Sequence, residues 1–160
     1  MRIGEIAIVG PDILPKQQFI KTVCDEIVVE NNDLVFGRLQ INEQLVIHLY
    51  GLEFTDTEIK PSLDLVSKKL LGYVFLFNWG SQDSYSEVVS TIDSLTSRYN
   101  SPFVIAANLQ NGSTEIPSQM LNVDFDISSE GQFTFCKLSH PESVRNVLVM
   151  LINSVINKVN

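Results

Sequence analysis

Glu5-Ile6-Ala7-Ile8-Val9, followed by Gly10-Pro11-Asp12-Ile13-Leu14-Pro15-Lys16-Gln17-Gln18-Phe19, is an apolar strand pattern running through a turn into a helical one. Strand, glycine, four residues, one more position, lysine and helix is the layout of a phosphate-binding loop, Gly-x-x-x-x-Gly-Lys-Ser/Thr. Gly10 and Lys16 stand at the expected spacing, but Pro15 occupies the second glycine's place and Gln17 replaces the hydroxyl residue that would ligate Mg2+. Such a loop works by pointing successive backbone N–H groups at phosphate oxygens, at the positive end of a helix. Pro11 and Pro15 each delete one of those donors, and Asp12 adds a negative charge where a polyphosphate would sit. Pro15 equally suits the first position of an ordinary helix.

Outward from this stretch, strand and helix patterns alternate. Pro15 to about Ile27 reads as a helix with Phe19, Ile20, Val23, Cys24 and Ile27 on one face. Asp33–Ile41 and Gln44–Tyr50 read as two strands separated only by Asn42-Glu43, hence an antiparallel hairpin. Leu63–Leu70 looks helical, and Gly72–Phe77 is a continuous apolar run of the kind found in central parallel strands. Asp83–Tyr99 reads as a helix, Pro102–Ala107 as a buried strand and Pro117–Leu121 as a short helix. Phe133–Cys136 follows as a last strand and Pro141–Val159 as a long terminal helix, with Val144, Val147, Leu148, Leu151, Val155 and Ile156 inward. Five parallel strands with one antiparallel hairpin strand, joined by crossover helices, form an open three-layer α/β sheet. Ligands of such sheets sit beyond the carboxyl ends of the strands, here at Gly10–Pro15, Gly51–Thr57, Asn78–Asp83 and Asn108–Thr114.

The 160 residues suit one domain spanning 1–160, with no internal repeat or linker. Hydrophobic residues make up 44% and charged residues 19%, as in ordinary globular proteins. The net charge of -8 and a pI near 4.6, with scattered Lys and Arg, argue against a nucleic-acid surface. No apolar stretch is long enough for a membrane span and no secretory signal opens the chain, so a cytoplasmic location is expected. Cys24 and Cys136 lie in apolar runs and read as small buried hydrophobes, without metal-ligand spacing.

Taken together the segments resemble a Ras-like small GTPase of the prokaryotic branch related to the gliding-motility GTPase MglA. Beside the loop from Gly10 to Lys16, the resemblance rests on Val35-Phe36-Gly37-Arg38-Leu39 followed by His48-Leu49-Tyr50-Gly51. These are similar to the family's Phe-Gly-Arg, strand and aromatic-Gly-Thr-Pro-Gly-Gln switch. Phe103-Val104-Ile105-Ala106-Ala107-Asn108-Leu109-Gln110-Asn111 resembles the strand and Asn-Lys-x-Asp motif that reads guanine. The resemblance implies a P-loop NTPase-like fold and, at Gly10, Lys16 and Asn108, the remnants of a site for GTP or GDP with Mg2+.

The departures from that family agree with one another. Leu52-Glu53-Phe54-Thr55 stands where Thr-Pro-Gly-Gln belongs, so Phe54 replaces the glycine that meets the terminal phosphate and Thr55 the water-positioning glutamine. Leu109 replaces the guanine motif's lysine, and Asn111 replaces the aspartate whose two oxygens accept from the base. No threonine lies between Val28 and Leu34 to reach Mg2+. The expectation is a catalytically inactive, small-GTPase-like interaction or regulatory module without a cofactor. The alternative is a divergent GTP/nucleotide-binding switch with weak or slow NTPase activity. An apolar set around the switch side, Ile13, Leu14, Phe54, Trp79 and Leu109, marks the expected partner surface. The resemblance implies a Roadblock-type regulator or a competent small GTPase as that partner.

Residue by residue, Lys16 reads as a solvated lysine of a first helical turn, and Asn108 as a scaffold that holds adjacent loops. His48 alternates with apolar residues and faces one sheet surface, while His140 before Pro141 reads as the neighbour of a helix cap. Ser139-His140 lacks an acid partner for nucleophilic chemistry. Asp124 and Asp126 read as solvated loop charges, and Gly51 stands where a phospho-acceptor aspartate would be needed for a receiver domain.

Overall fold

A computed structural model describes residues 2–10, 13–30, 34–52, 70–79, 92, 101–109 and 131–159. The expected helices over 63–69, 83–99 and 117–121 lie outside these residues, apart from Ile92. The described elements run β1 (Arg2–Val9), α1 (Ile13–Val23), β2 (Glu26–Glu30), β3 (Leu34–Gln40), β4 (Leu45–Leu52), β5 (Leu70–Asn78), β6 (Phe103–Asn108), β7 (Gly131–Cys136) and α2 (Pro141–Val159).

The strands form one seven-stranded sheet in the order β2-β3-β4-β1-β5-β6-β7. β4, β1, β5, β6 and β7 are mutually parallel, and β3 runs antiparallel to both of its neighbours, β2 and β4. The apolar runs Ile6–Val9, Tyr73–Phe77 and Phe103–Ala107 are buried on both faces, which is why they lack alternation. On one face Ile6, Ile8, Leu49, Val74, Val104 and Ala106 pack under α1 (Phe19, Ile20, Val23) and α2 (Val144, Val147, Leu148, Leu151). On the other, Ala7, Val9, Tyr73, Phe75, Phe77, Phe103, Ile105 and Ala107 form a second cluster that includes Ile92. Both sheet faces therefore carry core, and the fold class is α/β with a mostly parallel sheet.

Two expectations are corrected. The first helix does not reach Ile27: it ends at Val23, and Glu26–Glu30 is a seventh strand on the sheet edge. Ile27-Val28-Val29 is a β-branched triplet, which loses rotamer freedom in a helix and suits a pleated surface. Asp25 reinforces the break by accepting the Gln40 N–H at 2.9 Å, which ties the turn to β3. The same helix begins at Ile13, so Pro15 sits inside its first turn, where the missing N–H has no intrahelical partner anyway. Leu70, expected as a helix end, opens β5 and pairs in register with Glu5.

Candidate functional site at the carboxyl ends of the strands

The strand order reverses at β1. The chain leaves β1 through α1 toward β2, β3 and β4, then crosses back to build β5, β6 and β7 on the other side. In open α/β sheets the crevice beyond the carboxyl end of the strand at such a switch point is the usual ligand site. That position here is Gly10, directly after Val9.

Gly10 is held against the neighbouring strand. A Cβ there would stand 2.1 Å from the Leu76 carbonyl oxygen, so the loop starts where only a glycine backbone fits. Lys16 closes the loop from within: its Nζ donates to the Gly10 carbonyl at 2.9 Å, and the residue is 1% exposed. The expectation of a solvated lysine is thus overturned. The cause is rotation of the side chain toward the sheet, where Gly51 leaves room. A Cβ on Gly51 would lie 2.5 Å from Val35 Cγ1 and 3.4 Å from Lys16 Cβ. A buried ammonium is tolerated only with hydrogen-bonding partners, and the Gly10 carbonyl is one of them. The geometry gathers Gly10, Lys16 and Gly51 around the end of β1, while Pro11, Asp12 and Phe54 lie outside the described residues.

Asn108 lies two strands away at the same edge, in register with Asn78 on β5 and Cys136 on β7. It is 7% exposed and its Nδ2 donates to Asn78 Oδ1 at 3.0 Å. Its carbonyl accepts from the Trp79 N–H at 2.9 Å, and the Leu109 N–H donates to the Cys136 carbonyl at 2.9 Å. Asn108 therefore ties the chain after β5 to the chain after β6. The sequence reading missed Asn78. Its signal was a polar residue ending the apolar run 72–77, at the same height as Asn108. The loop after β7 joins the same edge: the Thr22 hydroxyl of α1 donates to the Leu138 carbonyl at 2.9 Å. His140 caps α2 through its carbonyl, which accepts from Ser143 N at 3.0 Å and Val144 N at 3.2 Å. Ser139 Oγ and His140 Nδ1 approach to 3.2 Å on an exposed turn.

The expected partner surface divides. Leu14 is 72% exposed on the first turn of α1. Trp79 is half-buried and turns inward, with its ring 4.9 Å from Phe135, 6.2 Å from Phe77 and 6.4 Å from Phe133. Its Nε1–H is buried with no acceptor among the described residues. Leu109 is half-buried, Ile13 opens α1, and Phe54 and Asn111 lie outside the described residues.

A further set of polar and aromatic groups lies on the sheet surface away from this edge. Glu5, His48, Arg38 and Glu26 form a row across β1, β4, β3 and β2 by register. Phe36 packs on His48 and Tyr50 with ring centroids 5.0 and 4.7 Å away. Burial, with Arg38 adding to it and Glu5 opposing, lowers the His48 pKa below 6.5. Burial and then the Glu5 carboxylate, which accepts from the Tyr50 hydroxyl, push the phenol up to about 12. A cavity of about 490 Å³ lined by Arg2, Asn42, Gln44 and Leu45 opens at the amino-terminal edge, at the opposite end of the sheet from Gly10. Among the described residues no group of three or more His, Cys, Asp or Glu is placed to hold a metal ion. None of the described helices is long and apolar enough to cross a membrane.

No protein-family model and no curated protein matches the chain.

Proposed function

We propose that this chain is a catalytically inactive, Ras-like protein of the small-GTPase type that serves as an interaction or regulatory module. The observation that carries the reading is the junction of Gly10 and Lys16 at the strand-order reversal. It has a phosphate-loop layout in a sheet whose antiparallel β3 pairs with β4, the neighbour of β1, yet the sequence around it lacks the residues of nucleotide chemistry. Pro11 and Pro15 remove cradle donors, Gln17 removes the Mg2+ hydroxyl, and Leu109 and Asn111 remove base recognition. The Lys16–Gly10 and Asn108–Asn78 hydrogen bonds join the chain around these loops to itself.

The partner in this reading is a Roadblock-type regulator or a competent small GTPase, met on the side of α1 that exposes Leu14. The test is co-purification with candidates of those two types from the same genome, comparing the wild type with Leu14→Glu. A stoichiometric complex that Leu14→Glu weakens at least about tenfold agrees with a loop-edge contact at an apolar anchor. No complex with either type, or one indifferent to Leu14, contradicts it.

A divergent nucleotide-binding switch is the second reading, and one observation favours it. Lys16 is buried at the end of β1 and reaches back to the loop carbonyl, so its charge is already held at the switch point. Lys16→Met keeps the stem and removes the charge. Under this reading it abolishes nucleotide affinity while leaving a folded protein.

A further inference from the structure

We propose that β2 is a detachable strap that opens as a unit while the rest of the sheet stays folded, baring the outer edge of β3. The two edges of the described sheet are built differently. β7 is held on both sides of its plane: Cys136 is 1% exposed, Phe133 and Phe135 pack with Trp79, and Gln132 Nε2 bonds Ser154 Oγ on α2. β2 differs at the three residues whose burial is described, Glu26, Ile27 and Val28. Val28 is 44% exposed, Glu26 is exposed, and Ile27 is a half-buried apolar anchor.

Its pairing with β3 is also interrupted. Glu26 and Ile27 oppose Arg38 and Gly37, but the register then shifts, so that Val29 and Glu30 oppose Phe36 and Val35. Val28 is the extra residue of a bulge, which leaves the ladder locally unpaired. What fastens the amino-terminal end of the strap is polar and solvent-facing. The Gln40 N–H donates to Asp25 Oδ2 at 2.9 Å, the Asp25 N–H donates to the Arg38 carbonyl at 3.0 Å, and Arg38 meets Glu26 at 3.3 Å. Exposed ion pairs contribute little, so among the β2 side chains whose burial is described, Ile27 is the apolar one packed against the core, beside a bulged ladder.

Local opening draws on elements with few buried apolar contacts and exposed backbone bonds, and β2 fits that description where β7 does not. When β2 lifts, Leu34–Gln40 becomes a free edge beside the aromatic face of Phe36, His48 and Tyr50. A free edge of that length is what an incoming extended segment needs to add a strand. The strap does not depend on whether a nucleotide binds at Gly10.

The test is native-state hydrogen exchange on the full chain, following the β2 amides that face β3 against the β7 amides that face β6. The expected result is exchange in β2 at least about 100-fold faster than in β7. Asp25→Ala, which removes the carboxylate acceptor from a surface position, is expected to speed β2 by roughly 3- to 10-fold and leave β7 unchanged. Equal rates in the two edges, or an Asp25→Ala variant that moves both edges together or neither, would overturn the proposal.

Discussion

A methyl group added at Gly10 would stand 2.1 Å from a backbone carbonyl oxygen of Leu76, and backbone in the middle of a parallel sheet has nowhere to go. Gly10→Ala is therefore expected to destabilise the fold by at least about 2 kcal/mol. That loss should lower the melting midpoint by several degrees, at about 2–4 °C per kcal/mol. A midpoint within one degree of wild type would show that the loop is free to move away from β5. At the same scale, burial pushes the Cys24 thiol up to about 12 and the Cys136 thiol up to about 11, from 9.0. For Cys24 the Asp25 charge adds to burial, and for Cys136 the Ser143 hydroxyl opposes it. Both thiols are expected to resist alkylation at pH 8 and to react together once denaturant unfolds the chain. A group held protonated by folding contributes stability below its unfolded value. The protein should accordingly lose stability as pH rises from about 9 toward 11 and 12, on top of any general alkaline loss. Modification of either thiol at pH 8 without unfolding would contradict the burial on which this rests.

Among the elements, α2 covers β5, β6 and β7 on the sheet face it shares with α1, and Leu151 sits at its centre. It is fully buried, and a Cβ on Gly72 would meet its Cδ1 at 2.7 Å, so helix and strand are in direct contact there. Leu151→Ala is expected to destabilise by about 2–5 kcal/mol, measured by denaturant unfolding with the slope unchanged. The boundaries of α2 were legible because its apolar positions recur at helical spacing from Pro141 onward. The central strands were legible because Gly72–Phe77 and Pro102–Ala107 are continuous apolar runs. β2 was not, because Ile27 fits the apolar stripe of α1 as well as it fits a strand. The β-branched triplet Ile27-Val28-Val29 leans toward a strand, and the non-local tie between Asp25 and Gln40 completes the break. The orientation of Lys16 was hidden for a similar reason. A lysine in a first helical turn usually faces water, and what turns it inward is the space beside Gly51, thirty-five residues further along the chain. The Asn78–Asn108 pair likewise depends on strand register, which neither segment states alone.

For the whole molecule, architecture and chemistry separate. The sheet reverses at β1 and brings Gly10 and Lys16 to the place where open α/β sheets receive ligands. The proposal holds that this place now stabilises the fold and that function has moved to a protein-binding surface. The deciding measurement for a lost nucleotide site is thermal melting with and without millimolar GTP, GDP and ATP in the presence of Mg2+, reading the fluorescence of the single tryptophan, Trp79, at the same edge as Asn108. A ligand present at about 100 times its dissociation constant stabilises by about 2.7 kcal/mol. For a domain of this general size that is a shift of roughly 5–11 °C. The expected result is a midpoint unchanged within about one degree for every nucleotide. A shift of several degrees with any one of them, abolished by Lys16→Met, would contradict it and establish a working nucleotide site at Gly10.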